Sequence, residues 1–118
     1  MRRDARTYLW DALHAADLLR EFSAGKDYAR YEADAMLRSA VERQFEIIGE
    51  ALNRLSKVDT ALAAQVPDLG RIVAFRNILI HGYASVDDAL VWQVLTNRLP
   101  ALTDVLRRLL DSAGDADN

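Results

Sequence analysis

The stretch Arg76-Asn77-Ile78-Leu79-Ile80-His81-Gly82-Tyr83 sets polar groups suited to phosphate chemistry inside an apolar run. An arginine guanidinium presents a planar fork of donors that matches phosphate oxygens. A histidine side chain titrates near neutrality when unperturbed, so it can take a proton and return it. RNA supplies its own nucleophile, the 2′-hydroxyl. A base that deprotonates that hydroxyl, beside a cation on the phosphate, cleaves the strand without a metal ion. A tyrosine can stack on a base, donate a hydrogen bond or accept a transferred group. The same residue types at a helix end also serve as caps and ion-pair partners, so types and spacing alone leave a structural role open beside a catalytic one.

The elements that would position these groups can be read from spacing. An α-helix turns by about 100° per residue, so Asn77 and His81 share a face while Arg76 and His81 stand about 140° apart. Gly82 is expected to end the helix in the left-handed conformation that glycine readily adopts. His81 then lies in the last turn, where the helix dipole favours a cation. Fraying at that end is expected to let Arg76, His81 and Tyr83 face one cleft.

A second row of polar residues lies upstream. Arg38, Glu42, Glu46, Glu50 and Arg54 recur every fourth residue and stack along one helix face. Like charges at that spacing repel by about a few tenths of a kcal/mol per pair. One reading is a solvated face; the other is that Glu46 or Glu50 meets an arginine from elsewhere, Arg76 or Arg71, and holds the motif in place. Gly49 falls in the same helix, where glycine costs about 1 kcal/mol relative to alanine. Close approach of another helix is the expected compensation.

Composition bounds the rest. The chain has 118 residues, 51% of them hydrophobic, with five Gly, two Pro and no Cys. That length suits one domain with its own core, and a composition rich in helix formers and poor in breakers predicts an all-α bundle. The lack of cysteine excludes disulfides and thiolate metal sites and fits a reducing, cytoplasmic setting. The charged start of the chain is not followed by a signal-type apolar core, and no run reaches membrane-spanning length. The two histidines, His14 and His81, are far apart in sequence. The Glu-x-x-His pattern of di-iron bundles is missing, so no metal and no cofactor are expected. His14 is expected at the surface. The net charge of −3 argues against broad, salt-driven binding to nucleic acid.

Apolar periodicity predicts a helix over residues 3–23, stopped by Gly25, and a loop to Arg30 with Asp27 as a cap. One long helix follows, from Tyr28 or Tyr31 to Ser56. A short helix over residues 59–65 ends at Pro67. Asp68 is expected to cap the motif helix, residues 69–81. Nearly apolar all round, that helix is expected to be buried, between neighbours or at a subunit contact. Ser85 is expected to cap the last helix, which Pro100 must kink or split. Trp92 is expected in the core or at an interface. The bundle is expected to span residues 1–113, with residues 114–118 a disordered tail.

Arg76, His81 and Tyr83 together resemble the Arg-x-x-x-x-His-x-Tyr motif of HEPN-domain proteins, specifically the HepT toxin family. Ala40-Val41-Glu42-Arg43-Gln44-Phe45-Glu46-Ile47-Ile48-Gly49-Glu50-Ala51 is similar to that family's second-helix signature, and Val91-Trp92 also fits. The likeness runs from about Thr7 to Leu110. It departs at Pro67-Asp68, where many relatives carry Pro-Trp. The resemblance implies an antiparallel HEPN bundle of four to five helices that forms a homodimer. It also implies a metal-independent endoribonuclease, the toxin of a type II toxin–antitoxin pair, with Arg76 and His81 catalytic. Asn77, Glu46 and Glu50 would support them. Tyr83 would contact RNA or accept AMP from a minimal nucleotidyltransferase antitoxin of the MntA type. The alternative is a non-catalytic subunit of such a pair that binds substrate or nucleotide, and the acidic balance leans that way.

Overall fold

The computed structural model describes residues 2–116; the side chains of Tyr83 and of residues 113–116 are outside that description. The described residues form seven α-helices and one 3-10 turn, with no strand. In chain order the helices are α1 (Arg3–Ser23), α2 (Tyr28–Ala33), α3 (Ala35–Val58), α4 (Thr60–Ala63), α5 (Leu69–His81), α6 (Asp88–Asn97) and α7 (Leu99–Ala116). The all-α expectation holds, with more helices than expected because two long ones are each divided.

The first division falls at Asp34. The segment expected as one helix from Tyr28 or Tyr31 breaks there, with φ −110° and ψ 99°, and the Asp34 side chain accepts from the Leu37 N–H. A short polar side chain that satisfies an orphan helix donor restarts the helix more readily than it continues one. Asp27 caps α2 in the same way, as expected, accepting from Arg30. The second division is the one Pro100 requires. Helix α6 stops at Asn97 and α7 begins at Leu99, so the proline sits in a first turn that needs no donor from it.

Two expected caps are not used. Asp68 lies in the left-handed region, φ 59°, and makes no side-chain cap to α5. Its carboxylate instead accepts from Arg98, at 3.2 Å. Asp87, not Ser85, caps α6, accepting from the N–H groups of Ala89 and Leu90. Ser85 belongs to the 3-10 turn Tyr83–Ser85. The last helix continues through Ala116, into the segment expected as a tail, and residues 117–118 lie outside the described residues.

The core follows the apolar stripes. Leu9, Ala12, Leu13, Ala16 and Leu19 of α1 are buried with Leu37, Val41, Phe45, Ile48, Leu52 and Leu55 of α3. Leu99, Leu106 and Leu109 of α7 close the other side of α1. Truncating such a side chain to alanine typically costs about 2–5 kcal/mol. Trp92 is half-buried, its ring 5.2 Å from that of the fully buried Tyr31. No helix among the described residues is long and apolar enough to cross a membrane.

The motif helix α5 departs from expectation. It packs chiefly on α3, and Leu79 is its one buried residue. Ile78 is 52% exposed. An apolar groove of about 460 Å³ separates α5 from α6 and α7, with Phe75, Ile78, Val94 and Leu102 among its walls. Within this chain, then, a helix that is apolar nearly all round is little covered, because only one neighbour spans its length.

Candidate active site

Arg76 is the anchor of the site. Its Nη2 donates to Glu50 at 2.5 Å and its Nη1 to Asn77 Oδ1 at 2.9 Å. Its side chain is 25% exposed, and its Nε is buried without a hydrogen-bond partner. Gly49 explains how the arginine lies so close to α3. A Cβ at that position would stand 2.7 Å from Arg76 Cγ and 3.4 Å from the Ile72 carbonyl oxygen. The mid-helix glycine is thus the notch in which the Arg76 stem rests, the close approach its position predicts.

Of the two carboxylates considered, Glu50 meets Arg76. Glu50 also accepts from Arg54 Nε at 2.8 Å, so two arginines share it. The hydrogen bond from Arg54 and the charge of Arg76 hold the Glu50 carboxyl below the usual carboxylate range, against a partial loss of solvation. Glu46 pairs instead with Arg43 on its own helix, at 3.3 Å. Upstream in the same row, burial and the charges of Asp88 and Glu46 push Glu42 up, and Arg38 pulls it down. Arg71 is exposed and lines the apolar groove on the far side of α5.

These residues border a pocket of about 260 Å³ between α1, α3 and α5. Arg76 and Ile80 contribute from α5; Arg43, Glu46, Glu50 and Arg54 from α3; Tyr8 and Asp11 from α1. Glu46, Glu50 and Arg54 of the polar row on α3 therefore form the wall of a pocket, not only a solvated face. Tyr8 and Asp11 carry no local sequence signal for this role. They reach the pocket because they flank the stripe of α1 that is buried against α3.

His81 is the last residue of α5 and is exposed. It is not among the residues that line the pocket. The helix stays regular to its end rather than fraying, so Arg76 and His81 diverge by about 140°. The expectation that both face one cleft within the chain is therefore corrected. His81 instead shares an outward face with Ala74, Asn77 and Ile78, all exposed. Asn77 bonds Arg76, so it orients the guanidinium rather than the imidazole.

Gly82 ends the helix by a different device from the one expected. Its φ is −105°, outside the left-handed region. Its N–H donates to the Ile78 carbonyl at 2.8 Å, and a Cβ there would lie 2.8 Å from the same oxygen. Space, not conformation, demands the glycine. Tyr83 opens the 3-10 turn that follows, and its side chain lies outside the described residues.

Among the described residues, no group of three or more His, Cys, Asp and Glu side chains is placed to hold a metal ion. The arrangement can bind an anion beside a fixed guanidinium and offers an imidazole at the adjoining helix end.

Comparison with known proteins bears on what such an arrangement does. A family model described as ribonuclease HepT-like matches residues 12–109. MJ1380, a candidate RNase of Methanocaldococcus jannaschii, is 35% identical over 86% of this chain and 92% of its own length. The probable ribonuclease HepT of Thermococcus cleftensis is 29% identical over 92% of this chain and 98% of its own. TTE0752, a candidate RNase of Caldanaerobacter subterraneus subsp. tengcongensis, is 30% identical over 89% and 93%. No solved structure matches the chain significantly. An all-α bundle accords with these matches, and the chain belongs to the HepT-like ribonuclease family of HEPN proteins.

Proposed function

We propose that this protein is a metal-independent endoribonuclease that works as a homodimer, the toxin of a type II toxin–antitoxin pair. One observation carries the reading. Arg76 is fixed by Glu50 and Asn77 at the wall of a pocket, on a helix whose exposed outward face ends in His81. A guanidinium held in place before substrate arrives is suited to stabilise charge that develops on a phosphate.

The chemistry needs both groups at one phosphate, and a regular helix points them apart. The exposed face of α5 supports the remedy: α5 of a second copy packs there, and the two motifs form one composite cleft. In that cleft His81 of one copy removes the proton of a 2′-hydroxyl. The 2′-oxygen bonds to phosphorus, the phosphorus–5′-oxygen bond breaks, and the leaving oxygen takes a proton from His81 of the other copy. Arg76 offsets the charge on the pentacoordinate phosphorus. The products are a 2′,3′-cyclic phosphate and a 5′-hydroxyl. Pairing also doubles the local positive charge, which eases entry of RNA into an otherwise acidic protein.

The partner in this reading is a minimal nucleotidyltransferase antitoxin of the MntA type. Transfer of AMP to the Tyr83 hydroxyl would add bulk and negative charge beside the phosphate site and block RNA. A chain without cysteine suits the reducing cytoplasm in which such pairs act.

The test is cleavage of RNA by the purified protein in EDTA, with Arg76→Ala and His81→Ala alongside. The expected result is cyclic-phosphate ends from the wild type and a loss of at least about 100-fold in each variant. A contaminating nuclease would ignore both substitutions. No cleavage over a range of RNAs, by protein free of AMP on Tyr83, would make the chain a binding subunit of the nucleotidyltransferase pair instead.

A further inference from the structure

The outward face of α1 carries a feature that neither the core nor the Arg76 pocket uses. Trp10 and His14, one helical turn apart, stack with ring centroids 4.8 Å apart and planes 12° from parallel. Trp10 is 53% exposed, and it is the aromatic among the large apolar side chains exposed in the described residues. His14 is exposed as well. The buried stripe of α1 lies on the opposite face, so about half of the indole faces solvent. As a helix-stabilising pair the two rings contribute only about 0.2–0.5 kcal/mol, which a smaller apolar pair would also supply.

The surroundings favour nucleic acid over a protein partner. Arg3 and Arg6 stand on the same outward face, toward the start of the helix, and both are exposed. Asp11, which lines the Arg76 pocket, lies one turn before His14, a rise of about 5 Å along the helix. Asp17, one turn past His14, is engaged by Arg107. A flat π-surface with arginines toward one end and a phosphate site beside it is the combination that holds single strands: bases stack on the rings while cations follow the backbone. Stacking also tolerates any base, since each has a π-face.

We propose that Trp10 and His14 form a nucleobase-stacking platform for single-stranded RNA that runs out of the Arg76 pocket along α1. This rests on the ribonuclease reading and adds to it where the flanking strand lies. The platform engages unpaired nucleotides, whose faces are free, and rejects duplex, whose faces are stacked within the helix. It raises affinity for strands long enough to reach it and leaves the chemical step untouched.

The experiment uses the wild-type protein, Trp10→Ala and Trp10→Phe with two single strands of equal length and phosphate number. One is oligodeoxyadenylate, which lacks the 2′-hydroxyl and stays intact; the other is its abasic counterpart. A stacked base is worth about 1–3 kcal/mol, so the wild type is expected to bind the base-bearing strand about 5–150-fold more tightly and to lose tryptophan fluorescence on doing so. Trp10→Ala is expected to abolish that preference and Trp10→Phe to keep most of it. Circular dichroism checks that the exposed position tolerates both changes. Equal affinity for the two strands, or an undiminished preference in Trp10→Ala, overturns the platform and turns attention to a protein partner on this face. RNA cleavage in EDTA is scored separately. Cleavage without base preference overturns the platform and leaves the nuclease standing, whereas base preference without cleavage upholds the platform and removes the nuclease.

Discussion

Glu50 serves two arginines at once, and only one of them belongs to the motif. Arg54 reaches it from the next turn of α3, at 2.8 Å, and Arg76 from α5, at 2.5 Å. The carboxyl is held low, first by the Arg54 hydrogen bond and also by the charge of Arg76. Its folded-state pKa lies below its unfolded one, so the interaction is fully present above the unfolded value, about 4.3. It is lost as pH falls through the lowered folded value. The Arg76 clamp is therefore intact throughout the neutral range and opens only below the ordinary carboxylate range. Glu50→Gln keeps the shape of the side chain and removes its charge. With the group partly exposed, the fold should tolerate the change. Arg76 would keep Asn77 and, at the new amide, at most one neutral acceptor for which Arg54 competes. Cleavage should fall roughly 10–100-fold, as when a catalytic group is held about 1 Å out of place. Single-turnover cleavage beside thermal melts reads both quantities. A wild-type rate in Glu50→Gln would show that the charge of Glu50 is not needed to position the guanidinium.

At the scale of elements, the contact between α3 and α5 sets the site, and it turns on one missing methyl group. Gly49→Ala would gain about 1 kcal/mol of helix propensity. Against that, the new Cβ would meet the base of the Arg76 side chain rather than its mobile tip, with Cγ at 2.7 Å. Overpacking of this kind costs about 1–3 kcal/mol, so the expected net change is a loss of up to about 2 kcal/mol, read by urea unfolding. Cleavage should suffer more than stability does, since the side chain displaced is the proposed phosphate ligand. Unfolding free energy at or above the wild type with full activity would show that α5 can slide off the notch at no cost. This pairing was legible in the sequence, because a glycine inside a strong helix calls for a close neighbour and the fourfold spacing of Glu42, Glu46 and Glu50 marks a common face. The breaks between helices were less legible. Asp34, Asp59 and Asp87 all cap helices, but an aspartate inside an otherwise periodic stretch reads equally well as a solvated position. Tyr8, Asp11 and Trp10 were not legible as a site at all, since their roles depend on how α1 is rotated against α3, a tertiary fact with no local signature. The end of α5 misled for a similar reason: Gly82 suggested a left-handed cap, whereas the demand on it comes from the Ile78 carbonyl one turn back.

For the whole molecule, charge and surface pull in different directions. The chain carries a net charge of −3, so RNA gains nothing from long-range attraction and must be drawn by a local site. Yet α5, the helix that carries the motif, leaves Ala74 and Ile78 in solvent beside His81, a poor use of apolar surface for a chain that acts alone. The proposed association of two copies through this face would resolve both difficulties, since it would cover the apolar stripe and gather two arginines and two histidines. Ile78→Lys separates the explanations. It places a charge at the centre of the stripe, so the proposed dimer should fall to the monomer mass by light scattering while helical content is kept, because Ile78 contributes little to the core of its own chain. The substitution also adds a positive charge one turn from His81, which on electrostatic grounds alone should improve binding of RNA. Loss of cleavage in Ile78→Lys would then follow from separation of the two half-sites and not from a weaker field. A variant that becomes monomeric and still cleaves would mean that one chain brings its own histidine to the phosphate, by a movement at the end of α5. A variant that stays dimeric would move the subunit contact to another face.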